Sequence, residues 1–457
     1  MSAADKPTAP AADGVDRSRR GMLTISAVAI GAGAAAVASA CQRPDAGSVE
    51  VEVTARSVRA ALSTSADAAA NSAALDDAVE ESVASGADVV LPGGEYAIAG
   101  LTLPVTGRVN VRGAGRGITV LRNEGTGAAV TAHGVPGGDE YLSDWSLSGV
   151  TLTAAGKGRD LVGLSVKLAS RFSVSDVTVF GHGVGVRHES GWDGGYDGVS
   201  VSGAGTGWLF PRTDFAPTSP LGLRNCSAVD SDTAVMIENG VETMEWIGGD
   251  FAGCGRGLVA LGNDTRSISL HGINFERIRD EDIVVGDGET GPAAITVNGC
   301  RFLRVTKGGS SVRFVRGDAL TFTSSRWTKY RTAVDQGPDS GTLVVNTSTG
   351  YEVDQFITST SGVAPQGVFN ASAGAMSLVL SVDGTSYLPA VTGREGVTTK
   401  VVSGPDRTTI GDRDFAIAPQ PGCTALLRNE SDGSIRHAVR GVTGWFVSAP
   451  YAPARRP

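Results

Sequence analysis

The 457-residue sequence lacks the short motifs that mark a metal site or an activated nucleophile. It has five cysteines and five histidines, and none of them stands in a CxxC, HExxH or calcium-loop spacing. Nothing marks a Ser–His–Asp triad either. The sequence therefore predicts no resident metal and gives no support to a serine nucleophile.

Positive charge is also scarce, and this bears on the class of partner. Lys and Arg together number 39 against 48 Asp and Glu, so the formal net charge is −9. Proteins that bind nucleic acid need clustered Lys and Arg to neutralise phosphates. The excess of acid therefore argues against a nucleic-acid partner, whereas local arginines could still bind an anionic polysaccharide.

Helical periodicity is scarce as well. Only 19% of the residues are charged, whereas glycine is abundant, with 63 residues. A sequence that combines many glycines with little helical periodicity is typical of a turn-rich β protein.

The first 41 residues have the pattern of an export signal. The segment "DRSRRGML" (16–23) contains the paired arginines Arg19 and Arg20, and a weakly apolar run of small residues follows. This order indicates a secretory signal, and the twin arginines indicate the route that exports folded proteins. A transmembrane helix over residues 22–40 is the alternative, but the run is rich in Gly and Ala, which favours the signal.

The signal ends in "ASAC", which resembles the lipobox of bacterial lipoproteins. In that motif the cysteine, here Cys41, becomes the lipidated first residue, although Ala38 stands where Leu is usual. We therefore predict a protein held at the outer face of the cytoplasmic membrane by a lipid on Cys41. The alternative is ordinary cleavage nearby and free secretion.

The middle of the chain repeats with a period of about two dozen residues. Between residues 145 and 335, each unit has two short alternating strands on either side of a small or polar residue, then a third short strand. The small or polar residues are Asp176, Gly198, Asn225, Gly248, Gly272, Gly299 and Ser324, at spacings of 22 to 27 residues. Alternation with a period of two places the apolar residues of each strand on one face.

Three short strands per unit, with like residues above like, predict an all-β fold, a right-handed parallel β-helix. One coil cannot bury its own apolar face, so neighbouring coils stack and share a core. Phe251, Phe275, Phe302 and Trp327 should then form an aromatic stack inside the helix. A β-sandwich is the alternative, but it would not keep the small residue in step over seven units.

The start of this region resembles a known superfamily. A short acidic helix ending at Gly86 is followed by "VVLPGGEYAIAGLTLP" (89–104) and "VNVRGAGRGITVL" (109–121). This arrangement is similar to the pectate-lyase-like superfamily, in the branch of polygalacturonases, rhamnogalacturonases and tailspike-type proteins. The resemblance implies a parallel β-helix capped by the N-terminal helix, and a polysaccharide as the partner.

These patterns divide the chain into four parts. Residues 1–41 form the signal, and residues 42–72, rich in Ala, Ser and Asp, form a linker or tether. Residues 73–362 form the β-helix. Beyond them the repeat is lost, and residues 363–457 are predicted to form a small C-terminal β domain or a cap on the last coil.

The cysteines inside the repeat are predicted to be core residues. Cys226 and Cys300 occupy the same column but lie three coils apart, roughly 14 Å at the usual strand spacing. A disulfide requires Cα atoms within about 7 Å, so these two cannot pair.

The resemblance also implies where a substrate would bind. In the family the groove runs along the outer face of the third strand, with catalytic acids at the beginning of that strand. The segments "FGHGVGV" (180–186), "VDSDTAVMI" (229–237) and "RDEDIVVG" (279–286) fall at that point of three coils. The Gly-His-Gly of the first resembles that of polygalacturonases and makes His182 a candidate, although no Asn-Thr-Asp or Arg-x-Lys accompanies it.

Coil geometry provides more specific candidates. Asp232, Gly255 and Asp280 occupy the same place in three successive coils, so the two aspartates should lie roughly 10 Å apart. Two carboxyls separated by room for a water suit inverting glycoside hydrolysis, with Asp232 and Asp280 as acid and base. Arg256 lies between them and could contact a sugar carboxylate or, in a lyase, take up a proton.

Asp230 and Asp282 are second candidates for the same roles. Lyases of the family commonly hold calcium with aspartates, so the resemblance implies calcium only if the reaction is an elimination. Otherwise no cofactor is predicted.

The outer face of the third strand supports a different interpretation. Its central positions are predicted to be Gly185, Leu209, Met236, Val259, Val284 and Arg313. Sugar grooves are usually polar, and an apolar stripe more often lies beneath another element. On this interpretation "RDEDIVVG" is a solvated turn of a scaffold.

The sequence thus predicts an exported β-helix protein that acts on a uronic-acid-containing or related polysaccharide as a lyase or glycoside hydrolase. The alternative is a non-catalytic glycan-binding or surface scaffold protein. An epimerase of polymer-bound sugars is a third hypothesis.

Overall fold

The computed structural model describes residues 56–135, 140–154 and 161–359, together with the backbone of short strands beyond residue 365. The predicted export signal, with Arg19, Arg20 and Cys41, lies outside the described residues, as does Cys423. In the part that is described, no helix is long and apolar enough to cross a membrane.

The described chain winds into a right-handed parallel β-helix, as the repeat predicts. Each coil contributes a strand to each of three sheets, and strands one coil apart pair in parallel. The first sheet contains Ser57–Arg59, Asp88–Val90, Val109–Arg112, Gly194–Asp197, Leu221–Arg224, Thr243–Ile247, Ser267–His271 and Ala294–Asn298.

The second and third sheets are built in the same way. The second contains Gly94–Ile98, Thr119–Asn123, Ser200–Ser202, Ser227–Val229, Asp250–Ala252, Asn274–Glu276, Arg301–Leu303 and Arg326–Thr328. The third contains Leu101–Leu103, Ala128–His133, Leu142–Ser143, Val162–Ser170, Val184–Trp192, Thr206–Phe210, Thr233–Ile237, Arg256–Ala260, Ile283–Val285 and Gln355–Ser359. Longer strands that continue from one sheet into the next are Trp145–Ala154, Ser173–Phe180, Ser310–Thr323 and Thr332–Tyr351.

Three corners separate the sheets. The first corner lies between the first and second sheets, the second corner between the second and third, and the third corner leads into the next coil. At the first corner the backbone is left-handed in every coil from Asp176 to Ser324, with φ between 50° and 67°. Gly, Asn and Asp tolerate this conformation best, which explains the predicted column of small and polar residues.

The core contains the predicted aromatic stack. Phe251, Phe275, Phe302 and Trp327 are register partners in adjacent coils and are fully buried. Successive ring centroids lie 4.8 to 5.2 Å apart. Each ring covers apolar area that its own coil leaves exposed, so the stack holds the coils in register.

The cysteine prediction is also confirmed. Cys226 and Cys300 are buried and unpaired, and so is Cys254.

A helix covers the first coil. It spans Ala68–Ser85, is capped by Asp67 and ends at Gly86, whose φ of 68° is left-handed. Its buried Ser72 hydroxyl donates to the Gly100 carbonyl at 2.7 Å, so the helix satisfies a backbone group at the edge of the first coils.

The predicted linker over residues 42–72 is too long at its C-terminal end. Strand Ser57–Arg59 already pairs in parallel with Asp88–Val90, and the helix begins at Ala68. A three-residue strand and an Ala-rich first helical turn carry too little apolar periodicity to be recognised in an Ala- and Ser-rich segment.

One predicted register is wrong by two residues. The prediction placed Gly185 on the outer face of the third sheet, but Arg187 is the residue that pairs with the outward Leu209. The next inward residue is His188, which is 1% exposed. A histidine does not extend an apolar pattern, so Val184 and Val186 were predicted as the inward pair of this strand, although the register partner of the inward Trp208 is Val186.

Strand pairing changes near the predicted end of the repeat. Gln366–Phe369 still pairs in parallel with Thr332–Tyr351. The later strands pair antiparallel: Val379–Leu380 with Gln366–Phe369, Met376–Ser377 with Ala390–Val391, Thr409–Ile410 with Phe415–Ala416, and Ile435–Arg440 with both Thr424–Arg428 and Trp445–Val447. The boundary at residue 363 stays a prediction.

Candidate functional site

Polar residues of several coils meet at the second corner, where the third strand begins. Here too the backbone is left-handed, with φ of 76° at Gly181, 64° at Gly203, 50° at Asp230 and 65° at Gly253. Asp230 thus takes a place that glycine holds in the coils on either side, and aspartate tolerates this conformation. Its carboxylate extends over Gly253, where a Cβ atom would collide with it.

The first of two hollows at this corner is acidic. This first hollow has a volume of about 600 Å³ and is lined by His182, Thr206, Asp230, Asp232 and Thr233, with glycines between them. Both aspartates are exposed. The structure therefore brings together three of the predicted site residues, His182, Asp230 and Asp232.

His182 lies below the solvent-accessible surface of this hollow. It is 2% exposed, and neither ring nitrogen has a hydrogen-bond partner among the described residues. Burial lowers the pKa of His182 to about 4, with a small opposing effect from the Phe180 backbone. The imidazole is neutral near pH 7, so it cannot donate a proton as an imidazolium there.

The second hollow lies three coils further along the same corner and is rich in arginine. It has a volume of about 450 Å³ and is lined by Arg256, Arg279, Asp280, Glu281, Arg304 and Ser310. Arg256 pairs with Glu281, Nε to Oε2, at 3.8 Å. Arg304 donates to the carbonyl oxygens of Asp280 and Gly308. In the described part of the chain, Arg279 forms no ion pair, so its guanidinium is available to a ligand.

The predicted stacking of Asp232, Gly255 and Asp280 is present. The Gly255 amide donates to the Ser231 carbonyl at 3.0 Å, and the Asp280 amide donates to the Gly255 carbonyl at 2.8 Å. The two aspartates nevertheless line different hollows.

Arg279 occupies the place predicted for a water between the two aspartates. Its Nη2 lies 3.4 Å from the position that a Cβ atom on Gly255 would take. A guanidinium over this glycine fills space that an attacking water would need. The gap between Asp232 and Asp280 thus differs from the open gap that inverting hydrolysis uses.

Asp282 is not exposed, which excludes it from direct contact with a polysaccharide. Its exposed fraction is 0%, and Ser311 donates to its Oδ2 at 2.6 Å. Burial raises the pKa of Asp282 to about 7, although the Ser311 hydrogen bond, the Tyr330 hydroxyl and the charge of Arg304 oppose the rise.

The backbone explains why Asp282 faces inward. It belongs to a column that bends into the core at the start of the third sheet, so that two successive residues are buried in each coil. The members of this column are Gly207, Ala234, Gly257, Asp282, Ser311 and Ala333. Strict alternation, which would place Asp282 outward next to Ile283, fails at this bend.

The arginines of the second hollow carried a signal that the sequence interpretation missed. Arg256, Arg279 and Arg304 follow one another at 23 and 25 residues, which is the length of one coil. This spacing brings the three arginines to the same corner in successive coils, although they are not register partners, since Arg279 pairs with Cys254. The interpretation singled out Arg256 alone because it searched this corner for acids.

The outer face of the third sheet is divided into two halves. In the N-terminal half, Glu189 forms ion pairs with Lys167, Oε1 to Nζ at 2.9 Å, and with Arg187, Oε2 to Nη2 at 3.1 Å. The Lys167 ammonium also lies over the Phe215 ring. In the C-terminal half, the stripe predicted to be apolar is present as Leu209, Met236, Val259 and Val284 in register.

The described residues do not suit a calcium ion. They contain no group of three or more His, Cys, Asp or Glu side chains that could hold a metal. Calcium takes about 6–8 oxygen ligands, usually including several carboxylates, whereas the first hollow offers only Asp230 and Asp232.

No protein-family model and no curated protein matches the chain. Solved structures that match include ORF18 of Geobacillus virus E2, at 15% identity over 86% of this chain and 85% of that chain, with a TM-score of 0.48. A second is the A-module of Azotobacter vinelandii mannuronan C-5 epimerase AlgE6, at 14% identity over 67% and 96%, with a TM-score of 0.39. A third is the catalytic domain of a GH87 alpha-1,3-glucanase in complex with nigerose, at 12% identity over 72% and 70%, with a TM-score of 0.45. Similarities this distant say nothing about the reaction, which has to be inferred from the chain's own residues.

Proposed function

We propose that the protein binds a uronic-acid-containing polysaccharide along the second corner and cleaves it by β-elimination. The observation that carries the proposal is the second hollow, where Arg256, Arg279 and Arg304 meet beside the exposed carboxylate of Asp280. Arginine is the side chain best suited to hold a carboxylate, because its planar guanidinium can form two parallel hydrogen bonds.

The ladder of coils suits a polymer. Adjacent coils are about 4.8 Å apart, so a chain lying parallel to the helix axis meets equivalent positions of successive coils. Arg279, which has no ion pair in the described structure, binds the sugar carboxylate, and Arg256 exchanges its distant partner Glu281 for the same ligand. Arg304 keeps its backbone contacts and shapes the floor.

The same groups support an elimination. Removing the C5 proton of a uronate builds negative charge on its carboxylate, and fixed guanidinium groups stabilise that charge. Asp280 accepts the C5 proton, the electron pair forms the C4=C5 double bond, and the C4–O bond breaks. The leaving oxygen takes a proton from solvent. No water is needed between Asp232 and Asp280, where Arg279 lies.

Hydrolysis is the second candidate, because Asp232 and Asp280 do flank the Gly255 coil as two exposed carboxylates. It requires Arg279 to move aside when the substrate binds. The two reactions differ in their products, since elimination leaves an unsaturated sugar at the new non-reducing end and hydrolysis does not.

The test is incubation of the protein with polyuronates and with neutral glycans. We expect ultraviolet-absorbing unsaturated products, in step with new reducing ends, from polyuronates only. Asp280→Asn should lower kcat by about a hundredfold or more, as expected for loss of a general base. The control is Asp318→Asn, at an exposed aspartate away from both hollows.

Each other outcome has a defined meaning. Reducing ends without unsaturation would replace elimination by hydrolysis, and a changed sugar composition without cleavage would replace it by epimerisation. Binding without any chemical change would leave a glycan-binding scaffold. Full activity in Asp280→Asn would remove the assigned base.

Export and lipid anchoring are part of the proposal and rest on the sequence of residues 1–41. Arg19 and Arg20 would direct the folded protein through the twin-arginine route, and Cys41 would carry the lipid. In a bacterial host, wild-type protein should incorporate a labelled fatty acid and fractionate with membranes, whereas Cys41→Ser should not. Equal labelling of both would exclude Cys41 as the anchor.

A further inference from the structure

A third hollow lies at the third corner, on a different edge of the β-helix from the two hollows already described. It has a volume of about 360 Å³, within the range of about 300–1,000 Å³ that is usual for small-ligand sites. Tyr141, Trp192, Arg171, Ser143 and Ser170 line it, together with Glu140. We refer to these residues as the aromatic hollow.

Trp192 differs from the other tryptophans in the described residues. Trp145, Trp208, Trp246 and Trp327 are at most 1% exposed and belong to the core, whereas Trp192 is partly exposed. Its ring lies against the partly exposed Tyr141 ring, with centroids 4.0 Å apart and planes tilted by 40°. These two large, partly exposed rings leave apolar surface at the corner that the core does not cover.

The polar side of the aromatic hollow is connected by side-chain hydrogen bonds. Arg171 donates two hydrogen bonds to Asp144, Nε to Oδ1 at 2.9 Å and Nη2 to Oδ2 at 2.7 Å. The Arg171 hydrogen bond holds the pKa of the Asp144 carboxyl below its usual value. The Ser143 and Ser170 hydroxyls lie 2.6 Å apart. The hollow thus presents two hydroxyls and a guanidinium.

The backbone at this corner adopts a conformation that costs free energy. Asp144, Arg171 and Asp193 have φ of 60°, 46° and 51°, in three successive coils. Left-handed backbone recurs at the corners of this β-helix, and aspartate tolerates it, so the unfavourable residue of the three is Arg171. Arg171 gains nothing from the local side-chain hydrogen bonding that helps Asp and Asn in this conformation.

We propose that the aromatic hollow binds a neutral sugar unit of a glycan chain. The C–H face of a pyranose ring packs on the Trp192 and Tyr141 rings, and its hydroxyls exchange hydrogen bonds with Ser143, Ser170 and Arg171. Because Asp144 already neutralises Arg171 and Glu140 adds a negative charge, the hollow does not favour a uronate. This binding site does not depend on the proposed cleavage at the second corner.

The proposal is tested by titrating the protein with neutral gluco-, galacto- and rhamno-oligosaccharides and with a uronate oligosaccharide. Heat of binding and tryptophan fluorescence are measured in parallel. We expect at least one neutral oligosaccharide to bind and to change the fluorescence, with the uronate weaker. Trp192→Ala should weaken that binding at least tenfold, and Trp192→Phe should retain part of it while losing the fluorescence change.

The control is Phe180→Ala, which removes a ring that is 54% exposed on the second sheet and should leave binding unchanged. Thermal unfolding of each variant separates loss of the site from loss of the fold. Failure of every neutral oligosaccharide to bind, or unchanged affinity in a folded Trp192→Ala variant, would overturn the proposal. Activity at the second corner, measured on a polyuronate, should be retained in Trp192→Ala, which separates this site from the cleavage site.

Discussion

The two hollows of the second corner are built on the same backbone but carry opposite charge. The first presents the exposed acids Asp230 and Asp232 above His182, whose burial makes it neutral. The second presents the exposed bases Arg256 and Arg279 next to Asp282, a buried acid. The second hollow also exposes the carboxylate of Asp280, whereas the exposed titratable groups of the first are acids alone.

This difference separates what the coil dictates from what the residues add. Burial disfavours the charged form of any group, so it lowers the pKa of His182 and raises that of Asp282. The core beneath both hollows therefore tends to neutrality, and the ligand meets only the outer side chains. Substitutions that break the shared backbone should affect both hollows, whereas substitutions of outer side chains should affect one.

The largest effect is expected from the core stack on which both hollows depend. Phe275→Ala removes a ring that contacts Phe251 and Phe302 and is fully buried. We expect a loss of about 3–5 kcal/mol of unfolding free energy, the usual cost of Phe→Ala in a core. Denaturant unfolding measures it, with Phe180→Ala at an exposed ring as the control. Equal stability of the two variants would mean that the stack does not hold the coils together.

The next effect concerns the buried acid of the second hollow. Because the folded-state pKa of Asp282, about 7, lies above the ordinary value of 3.8, the folded protein holds this proton more tightly than the unfolded chain. Asp282 therefore contributes stability at acid pH that is lost as the pH rises from about 4 to about 7. In that window, wild type should lose stability relative to Asp282→Asn by up to about 1.4 kcal/mol per pH unit.

The measurement is denaturant unfolding of both proteins at a series of pH values. Taking the difference between the two cancels the opposite contribution of His182, whose lowered pKa costs stability as the pH falls from about 6.5 to about 4. Parallel stability curves for wild type and Asp282→Asn would show that Asp282 does not titrate in this window.

A smaller effect, confined to the second hollow, is expected for Arg279→Ala. Loss of one charge-assisted contact to a sugar carboxylate costs about 1.5–3 kcal/mol, so kcat/KM on a polyuronate should fall by about tenfold to a hundredfold. Thermal stability should be unchanged, since Arg279 is exposed and makes no ion pair in the described structure. Arg224→Ala, at an exposed arginine of the first sheet, is the matched control. Equal losses in both variants would indicate general charge attraction.

The smallest effect is expected in the first hollow. If the sugar carboxylate is held by the arginines and the proton is taken by Asp280, Asp232→Asn should lower kcat/KM by less than tenfold. The same assay on a polyuronate measures it, with Asp280→Asn alongside. If Asp232→Asn lowered kcat/KM as much as Asp280→Asn does, the two aspartates would act as a pair, as hydrolysis requires.

The sequence was sufficient to predict the fold because the repeat is a local signal. Residues such as Phe251, Phe275 and Phe302 recur at the length of a coil, and the left-handed corner requires small or polar residues in step with them. The stacking of Asp232 and Asp280 followed from the same periodicity and is present. The sequence therefore predicts contacts between coils correctly wherever the length of the repeat alone determines which residues stack.

Prediction failed where burial departs from apolar alternation. His188 and Asp282 are polar residues that point into the core. The apolar pattern therefore placed the register of strand Val184–Trp192 two residues too early, and it placed Asp282 on the outer face. The path of the Arg279 side chain over Gly255 depends on packing that the spacing of residues does not encode. Of these residues, Arg279 lines the second hollow, and its placement could not be predicted, which is why the site was predicted less well than the fold.

The central claim is that the arginines of the second hollow bind the carboxylate of a polyuronate. The most direct test is an experimental structure of the Asp280→Asn variant with a uronate oligosaccharide. We predict a sugar carboxylate within hydrogen-bond distance of Arg279, together with Arg256 or Arg304, and a chain running along the second corner. An oligosaccharide lying on the apolar outer face of the third sheet, without a contact to Arg279, would contradict the account.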